Sequence, residues 1–281
     1  VARITPDNIE DQLNRFLVDA EPEVATFVKA LWADMSKEIS SPIAGQMISQ
    51  RSVPASIIEI WDRQYADFID GVLSQKWAES MRAGESNLAS KWRLLTPANI
   101  NTWMDNRGPA LFDGLITQQS RSLNQMIRFF ATEAPLAQDT LASIISPAVG
   151  LTEKQSKALT GHFNALTEAG ASEDSIRLSM SARASKFQRA RADMIARTEL
   201  ASAYNGGIDV AIRQGIDDGV FEGEVQKVWR TQDDERVCPI CGPLDETSVD
   251  MGDSFSSLGF TGDVPPAHPM CRCVVLYEDQ E

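Results

Sequence analysis

No cysteine occurs in this 281-residue chain before Cys238, and all four lie between Cys238 and Cys273, together with His268, one of only two histidines. Cysteine placed so selectively either performs chemistry or holds a small fold together. No apolar run approaches the roughly 20 residues needed to cross a bilayer, and no charged-then-apolar signal sequence opens the chain. A soluble protein of a reducing cytosol is the expectation. There, a Cys-x-x-Cys pair with further Cys and His favours metal over disulfide, and disulfides become the expectation only outside a cell. An excess of positive charge is also missing. The formal net charge is −14, and Ile216 to Glu281 carries 15 acidic against 4 basic residues. That imbalance argues against phosphate contacts by this region and suits solubility or a basic protein partner.

What is present is mostly helical pattern. Ile9, Leu13, Phe16 and Leu17, then Val24, Phe27, Val28, Leu31, Trp32 and Met35 recur at three and four residues, predicting two helices separated near Pro22. Ile57, Trp61, Tyr65, Phe68, Ile69, Val72 and Trp77 keep one apolar stripe and predict a long helix ending before Gly84. Thr96 and Pro97 read as cap and first residue of another helix. Beyond Gly108–Pro109, Phe112, Leu115, Ile116, Gln119, Leu123, Met126, Ile127 and Phe130 mark a further helical face. Pro135 and Pro147 bound a short helix, and Thr152 with Gln155 has the form of a capping box opening a helix that ends near Gly170.

From Arg177 to Arg197, six basic residues stand against Asp193 alone, and Phe187, Met194, Ala201 and Ile208 repeat every seven. A basic amphipathic helix follows, with Gly206–Gly207 either interrupting it or marking close packing. Gly215, Gly219 and Gly223 break the pattern. Past them, Val225, Lys227, Trp229 and Thr231 alternate as in a strand, and Arg272 to Tyr277 is β-prone. The expected fold is mainly α: a helical body over 1–170, the basic helix over 171–215, and a small acidic α+β Cys/His module with short strands over 216–281.

Cys238-x-x-Cys241 has zinc-knuckle spacing, with Pro239 stiffening the turn and Gly242 letting the backbone fold back. His268 with Cys271 or Cys273 supplies the second pair. Five candidates thus serve four tetrahedral positions, and the spacing leaves open which of Cys271 and Cys273 is the fourth ligand. A structural zinc is the expected cofactor; a reduced, metal-free cluster packing as small apolar side chains is the alternative. A catalytic zinc needs an open position and a general base. Both His-Glu-x-x-His and the His-x-Glu of zinc deaminases are missing, since no acid stands beside His268.

Other residues carry weaker signals. Arg177, Arg183, Lys186, Arg189 and Arg191 form either a solvated helix face or a contact patch for DNA or an acidic partner. Asp233, Asp234, Glu235, Asp245 and Glu246 read as an acidic surface turn rather than a cation site, and His162 as a packing histidine. Arg197 and Glu199, with Asn205, resemble a catalytic pair but fit an ordinary helical salt bridge.

Ala196-Arg197-Thr198-Glu199 with Asn205 and Gly206, then Trp229-Arg230-Thr231, Asp234, Arg236, Cys238-Pro239-Ile240-Cys241-Gly242-Pro243-Leu244-Asp245, Phe260 and Pro265-Pro266-Ala267-His268-Pro269, Cys271-Arg272-Cys273 closely resemble the phage Mu F-like minor head protein family. These are head morphogenesis proteins of tailed phages. The resemblance spans about Arg189 to Val275, with Glu246 standing where the family has Gly. It implies a structural, portal-associated component of the virion head, present in few copies and found in the host cytoplasm during assembly. Its implied partners are portal protein and major capsid protein, with packaged DNA as a further contact and no membrane. The helical region outside the motif is then where docking on portal or capsid is expected. Some relatives carry added enzymatic or toxin domains; with eight residues after Cys273, none is expected here. The rival readings are an enzyme, zinc-dependent or ADP-ribosyltransferase-like and resting on Arg197 and Glu199, and a DNA-binding packaging or ejection factor.

Overall fold

The computed structural model describes residues 2–88, 93–221, 223–232 and 234–280. Strand β1 (Ala2–Arg3) is followed by helices α1 (Ile9–Ser36), α2 (Ser41–Gln50) and α3 (Ala55–Phe68), which runs through a π turn at Ile69–Leu73 into α4 (Ser74–Glu85). Then come α5 (Pro97–Thr132), α6 (Gln138–Ile145), α7 (Glu153–Glu168) and α8 (Glu173–Asp217). The C-terminal strands are β2 (Glu224–Arg230), β3 (Ser248–Asp250), β4 (Phe255–Ser257), β5 (Phe260–Gly262) and β6 (Val274–Gln280). The chain is mainly helical with a small C-terminal antiparallel sheet, as the patterns predict.

Local signals placed several ends well. Thr96 Oγ1 accepts from the Asn99 amide at 3.2 Å at the start of α5. Thr152 and Gln155 form the reciprocal capping box of α7. Prolines were the weaker guide. Pro22 lies inside α1 and Pro109 inside α5, so neither separates two helices. An interior proline costs about 3 kcal/mol. Along α1, Leu13, Leu17, Val24, Val28 and Trp32 are all buried, and at about 1.5–3 kcal/mol per large apolar side chain that burial outweighs the break. Likewise α4 continues through Gly84, and α8 through Gly206–Gly207.

By internal contacts the chain forms two compact units, Val1–Val24 with Leu73–Asn106 and Met194–Glu281, and Ala25–Val72 with Arg107–Asp193. Each gathers separate stretches of sequence. In the second, Trp32, Trp61, Tyr65, Phe130 and Leu159 are buried, and Phe129, Phe130 and Phe163 meet edge to face. Four of its buried polar groups form a chain: Trp32 Nε1 donates to Tyr65 Oη (2.9 Å), which donates to Gln119 Oε1 (2.7 Å), which also accepts from the Gly150 amide (3.0 Å). Burial pushes the Tyr65 hydroxyl up to about 12, so it stays a donor.

In the first unit, α4 and α8 meet backbone to backbone. A Cβ at Gly84 would fall closer than 3.0 Å to the Tyr204 carbonyl, and one at Gly207 equally close to Met81 backbone. Ser80 Oγ donates to the Leu200 carbonyl at 2.6 Å across the same contact. The sheet order is β1-β6-β2-β3, all antiparallel. β2 and β6 pair over their full length, from Glu224↔Gln280 to Arg230↔Val274. Phe255 and Phe260, from the β4–β5 hairpin, close edge-on against Trp229 at 5.2 and 5.6 Å.

Candidate metal centre

The β2–β6 register positions the cluster. Because Arg230 pairs with Val274, the chain leaving β2 and the chain approaching β6 run side by side, bringing Cys238 and Cys241 to His268, Cys271 and Cys273. Two trios result, Cys238/Cys241/His268 and Cys241/Cys271/Cys273, each with its donor atoms within 4.8 Å of one another and sharing Cys241. Cys238 Sγ lies 3.1 Å and Cys241 Sγ 3.3 Å from His268 Nε2, and Cys241 Sγ lies 3.8 Å from Cys271 Sγ. Bond lengths near 2.3 Å to sulfur and 2.0–2.1 Å to nitrogen imply tetrahedral edges of about 3.8 Å (S···S) and about 3.6 Å (S···N). The spacings within the Cys238/Cys241/His268 trio, and the Cys241–Cys271 contact, therefore lie within about 0.5 Å of the edges of a tetrahedral zinc-sized site.

Its electrostatics suit a cation. Burial raises the Cys238 thiol, but amides of Cys241 and Ile240 directed at its sulfur outweigh that and hold it below the usual value. Around Cys241, hydrogen bonding to Cys271 and Cys273 together with burial pushes the thiol up, while the same contacts favour the Cys271 thiolate. Sulfurs this close cannot all ionise alone; a divalent cation supplies the charge that lets them do so. His268 Nδ1 lies 2.8 Å from the Pro269 carbonyl. A carbonyl only accepts, so Nδ1 carries the proton, and in the neutral ring the Nε2 lone pair faces the sulfurs, as a metal-ligating imidazole requires.

The surrounding residues hold both ligand loops. Arg272 grips Asp234 through two bonds of 2.7 and 2.6 Å, which holds the Asp234 carboxyl well below the usual carboxylate range. Gln232 Nε2 donates to the Arg272 carbonyl (3.0 Å), and Asn14 of α1 donates to Gln232 (2.6 Å). Helix α8 braces the second loop: Thr198 Oγ1 accepts from the Met270 amide (3.2 Å), and Asn205 Nδ2 donates to the Cys273 carbonyl (3.4 Å). Thr198 and Asn205 of the Arg197-Thr198-Glu199…Asn205 pattern thus support the cluster. Sequence reading missed this because a helix-to-loop hydrogen bond leaves no periodic trace.

The remaining candidates fall elsewhere. Arg197 pairs with Glu21 at 3.4 Å. Asp245 accepts from the Thr231 amide (2.8 Å) and Glu246 pairs with Arg230 (2.7 Å), so with Asp234 these acids are engaged internally; Asp233 lies outside the described residues. His162 packs against Ser179 Oγ at 2.8 Å. Arg177, Arg183, Lys186 and Arg189 are exposed on α8. Arg191 is a correction to the contact patch. It is only 2% exposed, bonds the Gly150 carbonyl and Gln118, and lies over the Trp32 ring, so it meets no outside partner.

A helical protein carrying a small β module organised around a Cys/His cluster is the class that this geometry defines. Residues 161–276 match the family described as Phage Mu protein F like protein, a segment that takes in most of α8 and the whole cluster. That segment, less than half of the chain, is similar to the phage Mu F-like head morphogenesis proteins. No curated protein and no solved structure shows significant similarity to it. Among the described residues no helix is long and apolar enough to cross a membrane.

Proposed function

We propose that the protein is a non-enzymatic minor head protein of a tailed phage, acting in head morphogenesis at or near the portal, with its C-terminal module stapled by zinc. One observation carries the reading: the family match covers the cluster together with the α8 residues that brace it. Zinc is supported by the donor set, sulfur-rich with one imidazole. A module of this size, acidic and loop-rich, buries little core alone, so bound metal adds directly to its folding energy. The engagement of Arg197 by Glu21 supports a non-enzymatic role. The partners are portal and major capsid protein, in the virion head. Co-expression with portal and capsid subunits tests this: the tagged chain should retain portal protein through affinity and sizing steps. Retention of neither subunit, and absence from purified heads, would contradict it.

A second reading rests on the exposed cations Arg177, Arg183, Lys186 and Arg189 of α8, as a contact for packaged DNA. Duplex binding should then weaken steeply with salt. No binding at low salt removes it.

A further inference from the structure

Helices α5 and α7 lie side by side, with Ser156 Oγ donating to Gln125 Oε1 (3.3 Å) and the Phe129 and Phe163 rings meeting edge to face. Between them runs an open groove of about 750 Å³. Arg121, Arg128 and Phe129 of α5 line it, with Lys157 and Gly161 of α7. The three cations are exposed and Phe129 is half-buried, and none of the three has an ion pair among the described residues. A Cβ at Gly161 would meet nothing within 4 Å, so the groove has room there. Glu133 and Glu153 also line it. Glu153 stands in the first turn of α7, where a carboxylate suits the helix dipole, and the cations remain in excess. Such a groove fits an acidic segment that also carries an apolar side chain.

Helix α8 ends on a group of that kind. Ile216 is 39% exposed, and Asp217 and Asp218 beside it are exposed. The last turn of α8 holds no basic residue, and the Asp218 amide still donates to the Gln214 carbonyl (2.9 Å). Both carboxylates therefore stand at the negative end of the helix dipole, where like charge is unfavourable. Asp218 accepts one bond from Gln214 Nε2 (3.0 Å), but neither acid has an ion pair among the described residues. We propose that the C-terminal end of α8 in one copy, Ile216 to Asp218, docks in the α5–α7 groove of a second copy, with Ile216 on Phe129 and the carboxylates among Arg121, Arg128 and Lys157.

The distribution of charge favours this occupant. The first compact unit, which holds Ile216 to Asp218, carries the whole formal excess of −14; the second, which holds the groove, has 14 basic and 14 acidic residues. Acid on one surface thus faces a locally cationic groove on another. Nucleic acid fits less well, because a chain this acidic repels a polyanion and phosphate contacts call for clustered Lys and Arg without acids among them. Since the two docking surfaces differ, the contact is head-to-tail, and it closes into rings or extends into open chains.

Sedimentation equilibrium of the full chain, as purified and at rising concentration, tests the proposal. The average mass of the wild type should rise above the monomer at low salt and return toward it at high salt. Asp217→Lys with Asp218→Lys, and separately Arg128→Glu with Lys157→Glu, should each lose self-association. An equal mixture of the two double variants should regain it, since each then meets a surface of opposite charge on the other. All four substitutions fall on exposed side chains, so the circular dichroism of both variants should match wild type. A wild type that is monomeric at low salt, self-association that survives either double variant, or a mixture that stays monomeric overturns the proposal. Duplex DNA retention lost in the groove variant while self-association is unchanged also overturns it, and makes the groove a phosphate site.

Discussion

At the scale of single residues, two positions near the cluster make the account testable. Glu246 adopts φ +59 where the resembled family has glycine, and a side chain there costs roughly 1–2 kcal/mol. The opposing losses are the Arg230 ion pair, worth about 0–1 kcal/mol at the surface, and the chain entropy of glycine. Glu246→Gly should therefore raise stability slightly, by about 0.5 kcal/mol, in denaturant unfolding. At Asp234, Arg272 holds the carboxyl below its ordinary value of 3.8. A depressed carboxylate contributes stability that is complete above 3.8 and lost as pH falls through the folded value. Asp234→Asn should remove that acid-side loss, so stability curves of variant and wild type should converge as pH drops below 4. Much at this scale was legible. The five clustered donors were named from spacing, since turn chemistry and ligand type are local. What was not legible was Arg191, an arginine on a basic stretch that the fold buries on Trp32, and Lys227, a fully buried lysine over the Phe255 ring with no hydrogen-bond partner.

Among elements, α8 matters most, because it carries both the crossing with α4 and the brace on the ligand loop. Gly207→Ala gains about 1 kcal/mol of helix propensity. It also forces a Cβ onto Met81 backbone, and backbone cannot rotate away, so the overpacking cost of roughly 1–3 kcal/mol or more should win. The variant should lower the thermal midpoint. Gly161→Ala, on α7 with nothing within 4 Å of the added carbon, should raise stability by up to about 1 kcal/mol; equal shifts in the two would contradict the close crossing. Thr198→Ala removes the acceptor of the Met270 amide, and should cost about 1 kcal/mol and loosen metal retention. Helix existence was readable from the 3.6-residue period. Breaks were not, because Pro22 and Pro109 signal local preference while continuity is decided by what the faces bury; of the two readings of Gly206–Gly207, close packing is the one that the structure shows. β1 escaped notice for a related reason: two residues carry no period, and only pairing with β6 makes them a strand.

For the molecule as a whole, the proposed zinc and the local charge would act together on the C-terminal module. The acidity concentrated between Ile216 and Glu281 opposes compaction by self-repulsion, and a cation at the sulfur cluster offsets part of it while closing the two loops. The helices of the second compact unit, Ala25–Val72 with Arg107–Asp193, have their own apolar core. The most direct measurement is zinc per chain in purified protein by native mass spectrometry, before and after chelation, read alongside helical circular dichroism and the part of the tryptophan fluorescence that a Trp229→Phe variant lacks. One zinc per chain is predicted, with chelation altering the fluorescence of the module and leaving helical signal largely intact. No bound zinc, with all four thiols freely titratable in the native state, would contradict the account.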